Sequence, residues 1–285
     1  MPMSASVSGR IAQIDVLRGF AVLGMFWIAV GAFGMPYAAN ALPTLLGTPG
    51  TLNLTIWAAT EVYMEGAVRG LFSMLFGASA LIYLDESRLG SDGVAVVDRF
   101  YRRNLLLILF GMIHAYVLLW PHDVLYVYGL IGLFLFPLRR APTLVLFIGG
   151  LTLQALSDIE VDWSAVASWL QGMPVPVDGS AEVSAGVGSA QESARFLDWL
   201  RMQMGQELEL YRSGYLDIFL AQVPEVMSQQ STALYQHRFF EIGGMMLIGM
   251  ALYRWGLLSG RAPWGLYLAL ALLGYGPVSY THLRA

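Results

Sequence analysis

Hydrophobic residues in this chain run in long blocks separated by short polar gaps, and the blocks fall near 14–34, 64–84, 104–120, 123–138, 142–158, 238–256 and 263–278. Each block approaches the roughly 20 mostly apolar residues that a bilayer-crossing helix needs, or falls somewhat short where interfacial groups cap an end. The pattern predicts an all-α, polytopic transmembrane helix bundle of about seven spans. Between the fifth and sixth blocks lies 158–236, whose middle, 174–193, is rich in Gly, Ser, Ala, Val and Pro without periodicity and reads as a loop. On either side apolar residues return at helical spacing, over 162–170 and over 192–212, where Phe196, Leu197, Leu200, Met204, Leu208 and Tyr211 share a face. These amphipathic helices are expected to cap the outer face of the bundle, with Trp163, Trp169 and Trp199 at headgroup level. The segment offers too little core for a separate folded domain.

Arginine occurs in alternate gaps. Arg10 and Arg18 flank the start of the first block, Arg88, Arg99, Arg102 and Arg103 lie between the second and third, Arg139 and Arg140 between the fourth and fifth, and Arg254 and Arg261 after the sixth. The opposite gaps comprise a 35–60 connection without positive charge, a Pro121-His122-Asp123 turn, and a long segment with eleven acidic residues against three Arg (Asp158 to Gln236). By the positive-inside rule the arginine side is cytoplasmic, which places the amino terminus inside. Composition agrees: 56% of residues are hydrophobic and 13% charged, against about 25% charged in soluble domains. Ala39-Asn40-Ala41 has the small-residue spacing of a signal-peptidase site, but Asp15 and Arg18 border the long first block, which is therefore expected to be retained. The organisation reads as a five-span bundle over 1–157, an extracytoplasmic loop with amphipathic helices over 158–236, the start of a carboxyl-terminal membrane half over 237–276, and a polar tail over 277–285. That tail resembles translated sequencing-adapter read-through, so His282 and Arg284 are excluded from functional reasoning.

There is no cysteine and no lysine, which removes disulfides, thiolate metal sites, Cys nucleophiles and Schiff-base chemistry. Histidines are spread without ligand spacing, and no metal site is expected. Chemistry is sought instead in ionisable groups at span depth, which are costly unless paired or facing a cavity. Glu61, Glu65 and Arg69 follow at i, i+4 and i+8 on the helix entering the second span. His114 lies within the third, His122 and Asp123 form the turn to the fourth, and His237, Arg238 and Glu241 open the sixth. With the topology above, four helices bring polar groups to one depth in the outer half of the bilayer. An intrahelical ion pair accounts for Glu65 and Arg69 equally well, and a wet turn for His122 and Asp123. His114, among Leu107, Leu109, Phe110 and Tyr116, must find a hydrogen-bond partner. On the cytoplasmic side Asp15 and Arg18 stand one turn apart before Gly19, and Arg102, Arg103, Arg139 and Arg140 ring the same surface. Such a ring suits either topological anchoring or the phosphates of a nucleotide-bearing donor.

Four strings carry a resemblance. Ile14-Asp15-Val16-Leu17-Arg18-Gly19-Phe20, Leu71-Phe72-Ser73-Met74-Leu75-Phe76-Gly77, Arg102-Arg103-Asn104-Leu105-Leu106 leading to Gly111-Met112-Ile113-His114, and Asp123-Val124-Leu125-Tyr126-Val127-Tyr128-Gly129 resemble successive motifs of the YeiB-like bacterial inner-membrane proteins, the domain-of-unknown-function 418 family. The segment from Arg238 through Gly256 is similar to the start of that family's carboxyl-terminal half. These proteins in turn resemble transmembrane acyltransferases, including the heparan glucosaminide acetyltransferase group, which share an Asp-x-x-Arg-Gly start.

The resemblance implies transfer of an acyl group from cytoplasmic acyl-CoA, a donor substrate rather than a resident cofactor, to an envelope glycan or lipid acceptor outside. It implies the lipid bilayer as the constant partner and no nucleic acid. In that reading His114 or His122 is the general base, Asp123 or Glu65 orients it or holds the acceptor, Arg69 stabilises the thioester oxygen, and Asp15, Arg18, Arg102 and Arg103 seat the donor. Two positions depart from the acetyltransferases: Ala29 stands where they carry Asn, and 35–60 has no His. A permease for a small polar solute would use the same pocket, although no inverted repeat is evident; a scaffold binding an envelope partner is the third reading.

Overall fold

The computed structural model describes residues 12–47, 50–84, 93–121, 123–157, 190–231 and 234–270, and among these it is helical, with no strand. In chain order the helices are α1 (Ala12–Gly34), α2 (Tyr37–Ala41), α3 (Thr51–Ala59), α4 (Gly66–Tyr83), α5 (Gly93–Tyr116), α6 (Leu125–Leu138), α7 (Thr143–Ser157), α8 (Ala190–Tyr211), α9 (Tyr215–Gln230) and α10 (Phe239–Arg254). A 3-10 turn follows α2, and π-helical turns (Thr60–Glu65 and Leu234–Arg238) lead into α4 and α10. Residues 264–270 are again helical. The helix expected over 162–170, the second half of the seventh block and the tail lie outside the described residues.

Two of these helices, α1 and α4, are long and apolar enough to cross a membrane, while α6 and α7 are apolar but shorter. The remaining expected spans differ for a readable reason. The 24 residues of α5 carry Asp98, Arg99, Arg102 and Arg103 in their first half, and α10 runs only 16 residues. The 35–60 connection, expected as a plain loop, contains α2 and α3, and the helix expected over 192–212 is α8. The sequence reading gave no helix at α9, although Pro224 sits inside it. Asp217 supports its start by accepting the Gly214 N–H at 3.3 Å, satisfying a donor left over at the helix terminus.

The core is organised around α10, which packs against α4, α6 and α7. Glycines set the approach. A side chain on Gly77 of α4 would collide with the Met246 backbone, and one on Gly249 of α10 would collide with the Met74 backbone, so the two helices touch main chain to main chain. On the other flank, a Cβ on Gly150 would stand 2.8 Å from the Gly244 carbonyl oxygen, and one on Gly244 would stand 2.8 Å from that of Gly150. Small residues at a helix crossing permit this closeness, and the gain is van der Waals contact along both backbones. Around the seam, Leu81, Phe100, Val127, Ile131, Leu135, Leu146, Met246 and Met250 form one buried cluster. A smaller cluster joins Ile14 and Ala21 of α1 to Leu75 of α4. The rest of α1 turns Phe20, Leu23, Phe26, Trp27 and Phe33 outward, an apolar exposure that water would penalise.

Replacing Gly249 or Gly77 with Val should lower stability by about 3 kcal/mol or more, since backbone atoms cannot rotate away from the added methyls. Gly66→Ala, which meets open space, should shift stability by no more than ~1 kcal/mol, in the stabilising direction. Thermal unfolding in detergent micelles, with helicity as the readout, checks both.

Candidate functional site

The His114–Asp123 pair is built by a turn that folds back on its own helix. As α5 ends, Val117 and Leu118 donate their N–H groups to the Ile113 carbonyl at 2.8 and 3.0 Å, and Trp120 donates to the His114 carbonyl at 3.1 Å. Reversing the chain this tightly puts Leu119 in the left-handed region, at φ 54°, a conformation unfavourable for a residue with a Cβ by about 1–2 kcal/mol. Trp120 stacks on Phe33 at the end of α1, with ring centroids 4.2 Å apart. From this turn Asp123 reaches back to α5. Its Oδ1 lies 2.8 Å from His114 Nδ1, and its Oδ2 accepts the Tyr126 N–H at 3.0 Å, as a helix-capping carboxylate does.

Gly111 makes room for this arrangement. A Cβ there would stand 2.6 Å from Asp123 Oδ2 and crowd the Tyr126 backbone, so α5 and the start of α6 meet only because the position has no side chain. The Asp123 side chain is 3% exposed and that of His114 31%. An ionised carboxylate only accepts, so Nδ1–H is the donor and Nε2 carries the lone pair. Above the turn, α9 is fastened to the end of α5: Tyr215 donates its hydroxyl proton to the Val117 carbonyl at 2.9 Å, and Tyr116 donates to Gln230 Oε1 at 3.1 Å.

The other expected site residues fall into separate pairs. Glu65 and Arg69 form an i,i+4 ion pair at 3.1 Å, with Arg69 52% exposed, and Glu61 lies beside Glu65 on the π-helical turn. Among the described residues no hydrogen bond or ion pair connects this ladder to His114 or Asp123. The nearest link is one the sequence reading passed over. Ser73 Oγ and Tyr128 Oη approach to 2.5 Å in the buried interior, Ser73 also donates to the Arg69 carbonyl at 3.0 Å, and Tyr128 lies within electrostatic range of Arg69 and Glu241. His237 Nδ1 donates to the Ser157 carbonyl at 2.6 Å and turns Nε2 to Glu241 at 3.8 Å, which ties α10 to α7. His122 lies outside the described residues.

Toward the far end of α4 the arginines have partners of their own. Arg18 NH1 meets Asp15 at 3.1 Å, and its Nε donates to Ser79 Oγ at 3.2 Å, so the Asp-x-x-Arg motif clasps α1 to α4. Arg102 pairs with Asp98 at 2.8 Å. Arg103 lies over the Phe76 ring at 6.0 Å. Asp15, Arg18 and Ser79 thus meet, whereas Arg102 pairs within α5 and Arg103 crosses from α5 to Phe76 of α4. Ser73, Ser79, Tyr128 and Gly111 carried little signal because a small or aromatic residue in an apolar run is ordinary. The Asp123-to-Tyr126 spacing is itself a readable helix-start signal.

Asp123→Ala strips an acceptor from two donors, the Tyr126 N–H and the His114 Nδ1–H, and should cost about 1–3 kcal/mol, while Gly111→Ala should displace the carboxylate and lower stability by a similar amount. Chemical denaturation followed by tryptophan fluorescence tests the pair, and each variant unfolding with the wild-type midpoint would overturn this account of the turn.

Two bacterial proteins match most of the chain. The uncharacterised protein YeiB of Escherichia coli strain K12 is 28% identical over 262 residues, covering 88% of this chain and 58% of YeiB. The uncharacterised protein YxaH of Bacillus subtilis strain 168 is 29% identical over 230 residues, covering 75% of this chain and 55% of YxaH. An uncharacterised 39.9 kDa protein in the amylase 3′ region of Bacillus acidopullulyticus is 30% identical over 131 residues, 46% of this chain and 34% of that protein. No family model matches the chain, and no solved structure matches it. The chain spans a little over half the length of YeiB and YxaH, and is similar to them over most of its own length.

Proposed function

We propose that the protein is a multi-span inner-membrane helix bundle with a cytoplasmic amino terminus, and that His114 and Asp123 serve it as a general base and its orienting carboxylate in acyl transfer from acyl-CoA to a hydroxyl or amine acceptor. The observation that carries the reading is the 2.8 Å contact between a carboxylate 3% exposed and an imidazole 31% exposed. Catalytic histidines are held this way: the buried acid fixes the ring and its tautomer, and the opposite nitrogen is presented to the acceptor. In the proposed step Nε2 takes the acceptor proton while the acceptor oxygen or nitrogen attacks the thioester carbonyl. The carbon–sulfur bond then breaks, and the CoA thiolate leaves and receives the proton from the imidazolium.

The reach between donor and base is consistent with this. Arg103 and His114 sit on the same helix, and at 1.5 Å rise per residue they are separated by about 16 Å along its axis, a distance an extended pantetheine arm can bridge. The Asp15–Arg18–Ser79 clasp supplies the guanidinium on the same side as Arg103. Membrane residence is supported by the two membrane-capable helices and the outward apolar face of α1; the alternate placement of Arg supports the orientation.

Because the chain contains no cysteine, release of free CoA in proteoliposomes can be followed with a thiol-reactive dye without background from the protein. Acyl-CoA-dependent thiol release should fall by about 10²-fold or more in His114→Ala, in the range that general-base catalysis contributes, and should fall also in Asp123→Asn. Undiminished release in both variants removes the proposal. The same absence allows single-cysteine mapping of the topology. Asn40→Cys should react with an impermeant maleimide in intact spheroplasts, whereas Ala95→Cys and Ala141→Cys should react only after permeabilisation; the reverse pattern overturns the orientation.

A further inference from the structure

A concavity of about 470 Å³, open to solvent, lies where α8 meets α2, and neither His114 nor Asp123 lines it. Tyr37, Trp199, Leu200, Gln203, Gln206 and Glu207 are among the residues that line it. Its volume is ordinary for a small-ligand site. Glu207 is fixed at the wall because its Oε2 accepts the Tyr37 backbone N–H at 2.9 Å, which also holds α2 against α8. Trp199 is steadied by stacking on Phe196, with ring centroids 5.9 Å apart. No arginine or histidine lines the concavity, and none pairs with Glu207 among the described residues. The negative charge of Glu207 is felt nearby. The hydroxyl of Tyr211, one turn further along α8, is held above its ordinary pKa, by burial first and by Glu207 second, against the hydrogen bond donated from Gln222 that lowers it.

Two aromatic rings and a carboxylate without a cationic partner are the surroundings in which an ammonium group is stable. Ring quadrupoles attract the cation, the carboxylate neutralises it, and the amides can accept from N–H groups or from a substituent. An anion would meet the Glu207 charge without compensation, and a neutral ligand would gain no Coulomb attraction from it. We propose that the concavity between α2 and α8 is a binding site for a small organic cation, with a quaternary or primary ammonium group seated against Tyr37 and Trp199 and beside Glu207. The site stands independently of acyl transfer: ammonium binding in a protein that transfers no acyl group leaves it intact, and transfer without such binding removes it alone.

Isothermal titration of the full chain in detergent, with choline and ethanolamine as probes and maltose and acetate as comparison ligands, tests the proposal. Saturable binding of choline or ethanolamine is expected, weakening as salt is added. Glu207→Gln, whose amide oxygen can still accept the Tyr37 N–H, and Trp199→Ala should each reduce affinity by about three- to thirtyfold, the range a cation–π contact or an exposed charge contributes, with Trp199→Phe retaining most of it. Stronger binding of glycerophosphocholine than of choline would assign the ammonium to lipid headgroups, and the reverse order to free solutes; both keep the ammonium site. Absence of saturable binding by either amine, maltose bound as tightly as choline, or affinities untouched by Glu207→Gln and Trp199→Ala would overturn it. The wild-type comparison of choline with maltose decides even if Trp199→Ala fails to fold.

Discussion

Backbone-to-backbone contact at glycines is the constraint on which the rest of the structure depends. Because α10 touches α4 through Gly249 and Gly77, and α7 through Gly244 and Gly150, the three helices form a tight unit with almost no side-chain thickness between their axes. Aromatic and branched residues then fill the space around the crossing instead of holding the helices apart. In a lipid environment this matters more than in water, since lipid tails give apolar side chains no reason to prefer one another and close van der Waals fit decides association. The same device recurs between α5 and α6, where Gly111 lets a carboxylate and a backbone N–H come together beside a histidine.

That recurrence connects packing to chemistry. Asp123 is nearly inaccessible, and a buried charge is tolerable only when its lone pairs are answered. Two donors answer it, one from the α6 backbone and one from the imidazole, so the group that starts a helix also fixes a ring. The tight reversal at Leu119, the Trp120–Phe33 stack and the α9 contacts to Val117 and Tyr116 hold the turn from three directions. The left-handed backbone at Leu119 accompanies the return of the Trp120 N–H to the His114 carbonyl. The arginines toward the opposite end are each occupied, Arg18 by Asp15 and Ser79, Arg102 by Asp98. The charge of these two is thus partly neutralised within the protein, and a phosphate drawn to either must compete with a carboxylate, whereas Arg103 rests against the Phe76 ring.

Much of the architecture was legible in the sequence because helices of this kind are announced by length and apolarity. The first, second, fourth, fifth and sixth blocks each became a helix within a few residues of the expected bounds, and the face carrying Phe196, Leu200 and Tyr211 became α8. His114 was expected to need a hydrogen-bond partner, and Asp123 was already among the residues named beside it. Legibility failed in two kinds of place. The π-helical turns before α4 and α10 leave no composition signature, so the Glu61, Glu65 and Arg69 ladder was read on a regular helix. The helix α9 hid behind its internal Pro224, although its contacts to α5 shape the surroundings of the dyad.

The sequence by itself therefore determined that the chain is helical, where its apolar blocks lie, how its arginines are distributed, and that an embedded histidine stands near a carboxylate in the chain. These are properties of short segments, governed by periodicity, desolvation and charge counting, and they need no knowledge of neighbours. Only the tertiary structure decided that Asp123 rather than Glu65 meets His114, that Ser73 meets Tyr128, and that Tyr37 shares a concavity with Trp199 and Glu207. The reason is geometric. Contacts between helices depend on rotation and depth to within an ångström, and those are set by which glycines let backbones touch, information distributed over residues far apart in the chain.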